Sequence, residues 1–343
     1  MSGTKEIQTG IKAARTALRR AARYAIASTV TAGVLISVAG FAPAAQAATA
    51  HATASSSAKT TARIQGLLDS PAGGTVNLPH GTFTIRPTLQ LRRSERIVGH
   101  HTTLRIASGS GNYKAMLTGG TDLSGLVITG VTFDENASGN PIHNVAKLYK
   151  GSPRFALLLV AGTDIKITND RFIGCDNVNT IATGGGTHNV TISGDTFKTT
   201  DAPMHDHSSI YTDGTGAVIS NNTFTGRAAY ATAIETHGDN ATVTGNHVRG
   251  YYKAANIVSS DTTFKGNHVT RAANPVDLWS VAPTALHNVK ITGNVLNRDR
   301  AYWKKALARI GRVIPAPRYT QQVIREASST LPFHNIAVHG NSR

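Results

Sequence analysis

Glu235 and His237 stand two residues apart in "AIETHGDN" (233–240), inside a short strand pattern otherwise built from Ala, Ile and Thr. One repeat upstream, "SIYTDGTG" (209–216) carries Tyr211 and Asp213 at the corresponding places. An imidazole beside a carboxylate is oriented and made more basic by it, which suits proton abstraction. Tyr211 offers a phenol as the matching acid. Asp213 and Glu235, on the order of 8 Å apart at ordinary sheet spacings, would instead leave room for a water between two carboxyl groups, the requirement of an inverting glycosidase. The preceding turn, "DAPMHDHS", adds Asp201, His205, Asp206 and His207, donors enough for a calcium ion at a spacing that is not diagnostic. Tyr230, Tyr252 and Trp279 supply stacking surface for sugar rings, Lys253 and Arg271 supply cations, and Asp277 a further acid. The bland alternative is a solvated sheet face with incidental charge pairs. Neighbouring repeats carry Ala, Gly, Val and Ser at these places, and that concentration favours a site.

The elements that must position these residues are copies of one pattern. "VITGVTF", "KITNDRF", "TISGDTF", "VISNNTF", "TVTGNHV", "TFKGNHV", "KITGNVL" and "AVHGNSR" centre on a Gly or Asn at 130, 169, 194, 221, 245, 266, 293 and 340. Periods of this size mark stacked supersecondary units. Each unit alternates β-branched and polar residues, which makes a strand with one buried face. The Gly or Asn provides the positive-φ corner into the next strand. A second strand follows in most repeats: "ALLLV", "NTIAT", "SSIYT", "TAIET", "ANIVS" and "VDLWS". With no helix between them, neighbouring copies must pair in parallel with the coil above and below, giving a parallel β-helix.

Aligning the second strands on Ile181, Ile210, Ile234, Ile257 and Leu278 predicts three outward columns: Ala182–Tyr211–Glu235–Val258–Trp279, Gly184–Asp213–His237–Ser260–Val281, and Thr180–Ser209–Ala233–Asn256–Asp277. Asp213 is then expected beside His237, and Tyr211 beside Glu235. The turns of the following coils place Tyr230, Tyr251, Tyr252 and Lys253 along the groove edge. Other histidines fall into repeat positions. His188, His287 and His334 share one turn, and His247 and His268 share "GNHV".

The opening "IQGLLDSPAGGTVNLPHGTFTI" (64–85) reads as a short capping helix, a Gly-Gly turn and a strand. Together with the "ITGN" coils it resembles the pectin lyase-like right-handed β-helix superfamily, over roughly residues 60 to 343. The resemblance implies an all-β, right-handed parallel β-helix, and a superfamily of lyases, hydrolases, epimerases and phage tailspikes. The paired Asp-Asp and Gly-His-Gly motifs of its polygalacturonases are absent, which weakens hydrolysis. "DAPMHDHS" distantly resembles the Asp-Pro-His-Asp/Glu motif of alginate epimerases. The expected function is β-elimination on an acidic, uronate-containing polysaccharide. His237 would be the base, Tyr211 the acid, and Lys253 or Arg271 would neutralise the uronate. Hydrolysis, C5 epimerisation, and a non-catalytic glycan-binding or structural role are the alternatives.

Residues 1–47 read as a signal peptide: a basic stretch, the uncharged run "AIASTVTAGVLISVAGFA" and a cleavage pattern ending at Ala47. Export to the cell exterior, or its surface, is expected, with no membrane association after cleavage. Residues 48–60 read as a disordered linker and 61–343 as the β-helix, interrupted at 301–328 by a helical insertion. There Trp303, Leu307, Ile310 and Ile314 form a stripe opposite Lys304, Lys305, Arg309 and Arg312. The formal charge is +16, and about +11 without residues 1–47, which hold six basic residues and one acidic. Outside the cell such an excess points to anionic glycans, cell-wall polymers or membrane surfaces and away from nucleic acid. Cys175 is the sole cysteine and reads as a small buried filler.

Overall fold

The computed structural model describes residues 44–70, 74–111, 113–141, 154–175, 179–199, 208–280, 285–309, 324–327 and 331–343. The chain divides into two compact units, residues 1–48 and 49–343, and the second holds the solenoid. The 24 strands among its described residues form one hydrogen-bonded network in which each described pairing is parallel. The result is a parallel β-helix of about eight turns. The expected architecture is the observed one.

The corners explain why this sequence coils. All eight central Gly and Asn residues have positive φ, from 56° at Asn169 and Asn221 to 73° at Gly130. A second corner column, Asp164, Asn189, Asn240, Asp261, Asn288 and Asn335, is also left-handed. Asn and Asp adopt this conformation more readily than other residues that carry a Cβ. Immediately after the first corner runs an inward ladder. The backbone N–H of Asn222, Asn246, Asn267 and Asn294 donates to the side-chain oxygen one coil on, at 2.8–3.0 Å. Each Asn amide also donates back to a carbonyl, as Asn246 Nδ2 does to Ile219 O at 2.9 Å. The polar atoms that these four Asn side chains turn into the solenoid are thereby paired, as buried groups generally are.

Beside the ladder, Phe133, Phe172, Phe197 and Phe224 stack coil on coil with centroids 5.2, 4.9 and 4.7 Å apart. In register with them, Val248, Val269 and Leu296 continue the core. Cys175 is buried within it, and burial pushes its thiol up. Tyr251, expected at the groove edge, is fully buried here. Its hydroxyl meets Thr199 Oγ1 at 2.6 Å and Ser209 Oγ at 2.9 Å.

The N-terminal helix α1 (Ala44–Leu68) closes the first coil. Ile64 and Leu68 enter the core, and Gln65 bonds both the backbone N–H and the C=O of Gln90, at 2.8 and 3.0 Å. The strand edge is thus covered rather than left to pair with another chain. α1 begins upstream of the segment expected as a linker. Residues 48–60 are helical, in keeping with their alanine content. In the segment expected as a helical insertion, Ile324–Ala327 is strand instead. A second helix, α2 (Arg300–Arg309), carries Trp303 into the fold, and Ile324–Ala327 returns as a strand parallel to Asn274–Trp279. Ile310, Ile314 and Arg312 of the expected helix lie outside the described residues.

Candidate functional site

The strand Thr223–Thr236 carries Glu235 between two inward residues, Ile234 and Thr236, so its side chain turns outward from the core. The row through Glu235 runs Leu158, Ala182, Tyr211, Glu235, Asn256, Asp277, Arg325, one residue per coil. The Tyr211–Glu235 neighbourhood is as expected. Beyond it the expected alignment slips by two residues. Ile234 lies opposite Ala255 rather than Ile257, so Asn256 and Asp277 take the places assigned to Val258 and Trp279. A slip of two keeps every side chain on its face, so the alternation that revealed the strand held no signal against it. The third expected column also fails: Thr180, Ser209 and Ala233 are buried.

Glu235 is the hub of this row. Ser208 Oγ donates to its Oε2 at 2.5 Å, Asn256 Nδ2 donates to its Oε1 at 2.9 Å, and His237 Nε2 lies 3.0 Å from the same Oε1. Burial pushes the carboxyl up, but the hydrogen bonds from His237, Ser208 and Asn256, with the charge of His237, more than offset it. The carboxyl is left below its ordinary value. Glu235 is therefore a fixed, ionised acceptor. The His237 ring, more exposed than Glu235, lies 4.7 Å from the Tyr211 ring at 37°. Ser208 and Asn256 were absent from the residues expected to act, and only their coil-to-coil neighbourhood with Glu235 identifies them.

The expected Asp213–His237 pair does not form. His237, just past the end of the strand at Thr236, turns back to Glu235. Asp213 is exposed, and among the described residues no hydrogen bond or ion pair reaches its carboxylate.

Lys253 is likewise committed. Its Nζ lies 3.1 Å from Asp277 Oδ2, and Asp277 is 0% exposed. A buried carboxylate cannot release its cation without a large desolvation cost. Lys253 also lies 5.7 Å from the centre of the Trp279 ring, which is 41% exposed. Tyr252 and Arg271 are drawn to α2 instead. The Tyr252 ring meets Trp303 edge-on at 5.5 Å, and the Arg271 guanidinium lies 5.5 Å from the Tyr302 ring centre.

The structure thus gathers Tyr211, Glu235, His237 and Asn256, with Lys253, Asp277 and Trp279 further along the same face. Asp201, His205, Asp206 and His207 lie outside the described residues, as does the side chain of Tyr230. Among the described residues no three His, Cys, Asp or Glu side chains converge as metal ligands.

No family model matches the chain, and no curated protein does. Solved structures do. A single-substitution variant of the tailspike of E. coli bacteriophage HK620, in complex with a pentasaccharide, superposes with a TM-score of 0.62 at 16% identity, over 82% of this chain and 53% of that one. The unsubstituted tailspike with pentasaccharide gives 0.55 at 16%, over 68% and 46%. The chain therefore spans about half the length of these tailspikes. The Streptococcus pneumoniae surface protein and adhesin PfbA gives 0.53 at 17%, over 69% and 73%. At these identities the likeness is one of fold, and it agrees with the coil-by-coil pairing: this chain is a parallel β-solenoid similar to tailspike and adhesin β-helices.

Proposed function

We propose that this protein is an exported glycan-active β-helix, and that the face bearing Tyr211, Glu235, His237 and Asn256 is where the glycan is processed. The observation that carries the reading is the Glu235–His237 pair. A carboxylate kept ionised by three donors holds a part-exposed imidazole at 3.0 Å. The tailspikes that share the fold were solved with bound oligosaccharides, which supports a polysaccharide as partner. Export through residues 1–47 and kinship with the pectin lyase-like superfamily belong to the same reading.

The finer chemistry we assign is β-elimination. His237 takes the proton from the carbon next to the uronate carboxyl, Glu235 stabilises the imidazolium that results, and Tyr211 protonates the departing oxygen. The third need of elimination is a positive charge against the uronate carboxyl. Lys253 is held by Asp277, so that charge must come from elsewhere, such as a divalent cation. One observation favours hydrolysis as a second reading: Asp213 is an exposed carboxylate on the coil next to His237, with no cation on it among the described residues.

The test incubates the protein with pectate, alginate, hyaluronan and neutral glycans, with and without calcium, and follows both unsaturated sugar ends and new reducing ends. Unsaturated ends that vanish in H237A support elimination. Reducing ends alone, lost in Asp213→Asn, move the assignment to hydrolysis. Neither signal, with glycan bound, leaves a binding surface and overturns the catalytic assignment.

A further inference from the structure

Away from the Glu235 row, α2 lies on the flank formed by the strands Thr223–Thr236 and His268–Ala272. Among its described side chains, Trp303 is the fully buried one. Trp303 is 0% exposed, its Nε1 donates to Arg271 O at 2.8 Å, and the rings of Tyr252 and Tyr302 meet it edge-on at 5.5 and 5.9 Å. The helix has no acidic residue and four basic ones, Arg300, Lys304, Lys305 and Arg309. Arg300, Lys304 and Lys305 are exposed, as are Arg249 and Arg271 on the coils beneath. Among the described residues none of these five is in an ion pair. Asp299, the acid at the helix start, is used by the Tyr302 backbone N–H at 2.9 Å. Asp277 is used by Lys253.

An amphipathic helix that needed only solubility would mix signs on its outer face, since like charges four apart repel. Here Arg300 and Lys304 sit four apart, about 6 Å along the axis, with Lys305 beside them and no acid between. Burial, then the charge of Arg300, push the Arg298 guanidinium below its ordinary value, and Arg298 donates its Nε to Ala273 O at 2.8 Å. An unbalanced row of cations fixed by a tryptophan anchor is a low-cost receptor for a repeating anion.

We propose that α2, with Arg249 and Arg271, is a second glycan site, separate from the Glu235 face, that holds the protein on a carboxylate-bearing polysaccharide. The residues at each end differ in sign and in kind. The α2 flank presents five exposed cations, whereas the Glu235 face presents an ionised carboxylate, an exposed Asp213 and a Lys253 already paired. An anionic chain is therefore drawn to the flank and the processing face is left to the segment that reaches it. The choice of a glycan over other polyanions rests on the function proposed above; the charge pattern does not.

The test is the affinity of the full chain for polygalacturonate, measured by calorimetry at low and at physiological salt. The triple variant Arg300→Gln, Lys304→Gln, Lys305→Gln is compared with Lys166→Gln, Lys198→Gln, Lys290→Gln, which removes the same charge from exposed positions elsewhere. We expect about a tenfold loss or more in the first and under about twofold in the second, with binding weakening as salt rises. Equal loss in both variants would reduce the effect to net charge and overturn the site. So would loss of binding in Glu235→Gln, which would put the polymer on the other face. Tighter, α2-dependent binding to anionic lipid vesicles or to DNA than to polygalacturonate would overturn the glycan assignment. If binding behaves as expected while no glycan is turned over, the docking site stands and the catalytic reading alone fails.

Discussion

His237 Nε2 lies 3.0 Å from Glu235 Oε1, two residues back in the chain, and that carboxylate is also held from the coil before by Ser208 and from the coil after by Asn256. Three successive turns of the solenoid therefore converge on one side chain. The surroundings are built by the repeat itself: stacking brings the neighbours in at sheet spacing.

Replacing Glu235 by Gln should cut activity about 10²-fold or more, because the imidazole loses the charge that orients it and stabilises its protonated form. A stability signature accompanies this. The Glu235 carboxyl is held below its ordinary value in the folded protein, so its contribution is present above the unfolded value of about 4.3 and is lost as pH falls through the folded value. Urea titrations should show the native protein more stable than E235Q at neutral pH, with the difference closing on acidification. A difference that persisted unchanged in acid would contradict an ionised Glu235.

The inward ladder contains two exceptions. Asp170 and Asp195 occupy positions that carry Asn in the five coils from Asn222 onward, and their Oδ1 atoms accept from Val131 N and Asp170 N, both at 2.7 Å. Their Oδ2 atoms are buried and unpaired, in the place where an Asn amide would donate. Burial pushes Asp170 up to about 8, and burial with the charge of Asp170 pushes Asp195 well above its ordinary value. Both are therefore neutral acids in the fold at neutral pH. The unfolded chain ionises near pH 3.9, so stability falls as pH rises from about 4 to about 8. Asp170→Asn with Asp195→Asn should remove that slope and stabilise the protein by about 5 kcal/mol at pH 9, with little effect at pH 4. Denaturation at the two pH values checks this, and equal effects at both would contradict neutral carboxyls.

Gly238, directly after His237, is fixed by close approach rather than by a left-handed backbone. A Cβ there would lie 1.9 Å from Gly214 O on the coil before. Gly238→Ala must push these two coils apart next to the imidazole. Circular dichroism should show the solenoid retained, while activity falls at least as far as in E235Q. Full activity in this variant would show that the position of His237 is not set by its coil contact.

The coil corners were legible because only a few residue types tolerate positive φ, and they recur at 130, 169, 194, 221, 245, 266, 293 and 340. Glu235, His237 and Tyr211 were legible as polar intrusions in that pattern. The pairings were not. Asp213 was the expected partner of His237 on coil stacking alone, but the i, i+2 contact with Glu235 prevailed, and strand periodicity does not rank one neighbour over another. The two-residue slip that puts Asn256 and Asp277 in the Glu235 row was invisible because it preserves the inward and outward faces. Tyr251 and Tyr252, adjacent in sequence, went to the core and to α2, since the sequence does not disclose where Trp303 docks.

The most direct test of the central claim is depolymerisation of an anionic glycan by the native protein and by H237A, read as unsaturated ends against reducing ends, with the fold of each checked by circular dichroism. The account predicts turnover by the native protein, loss of at least about 10²-fold in the folded H237A variant, and retention of polygalacturonate binding through α2. Turnover unchanged in H237A would contradict the assignment of the Glu235–His237 pair as the place where the chemistry occurs.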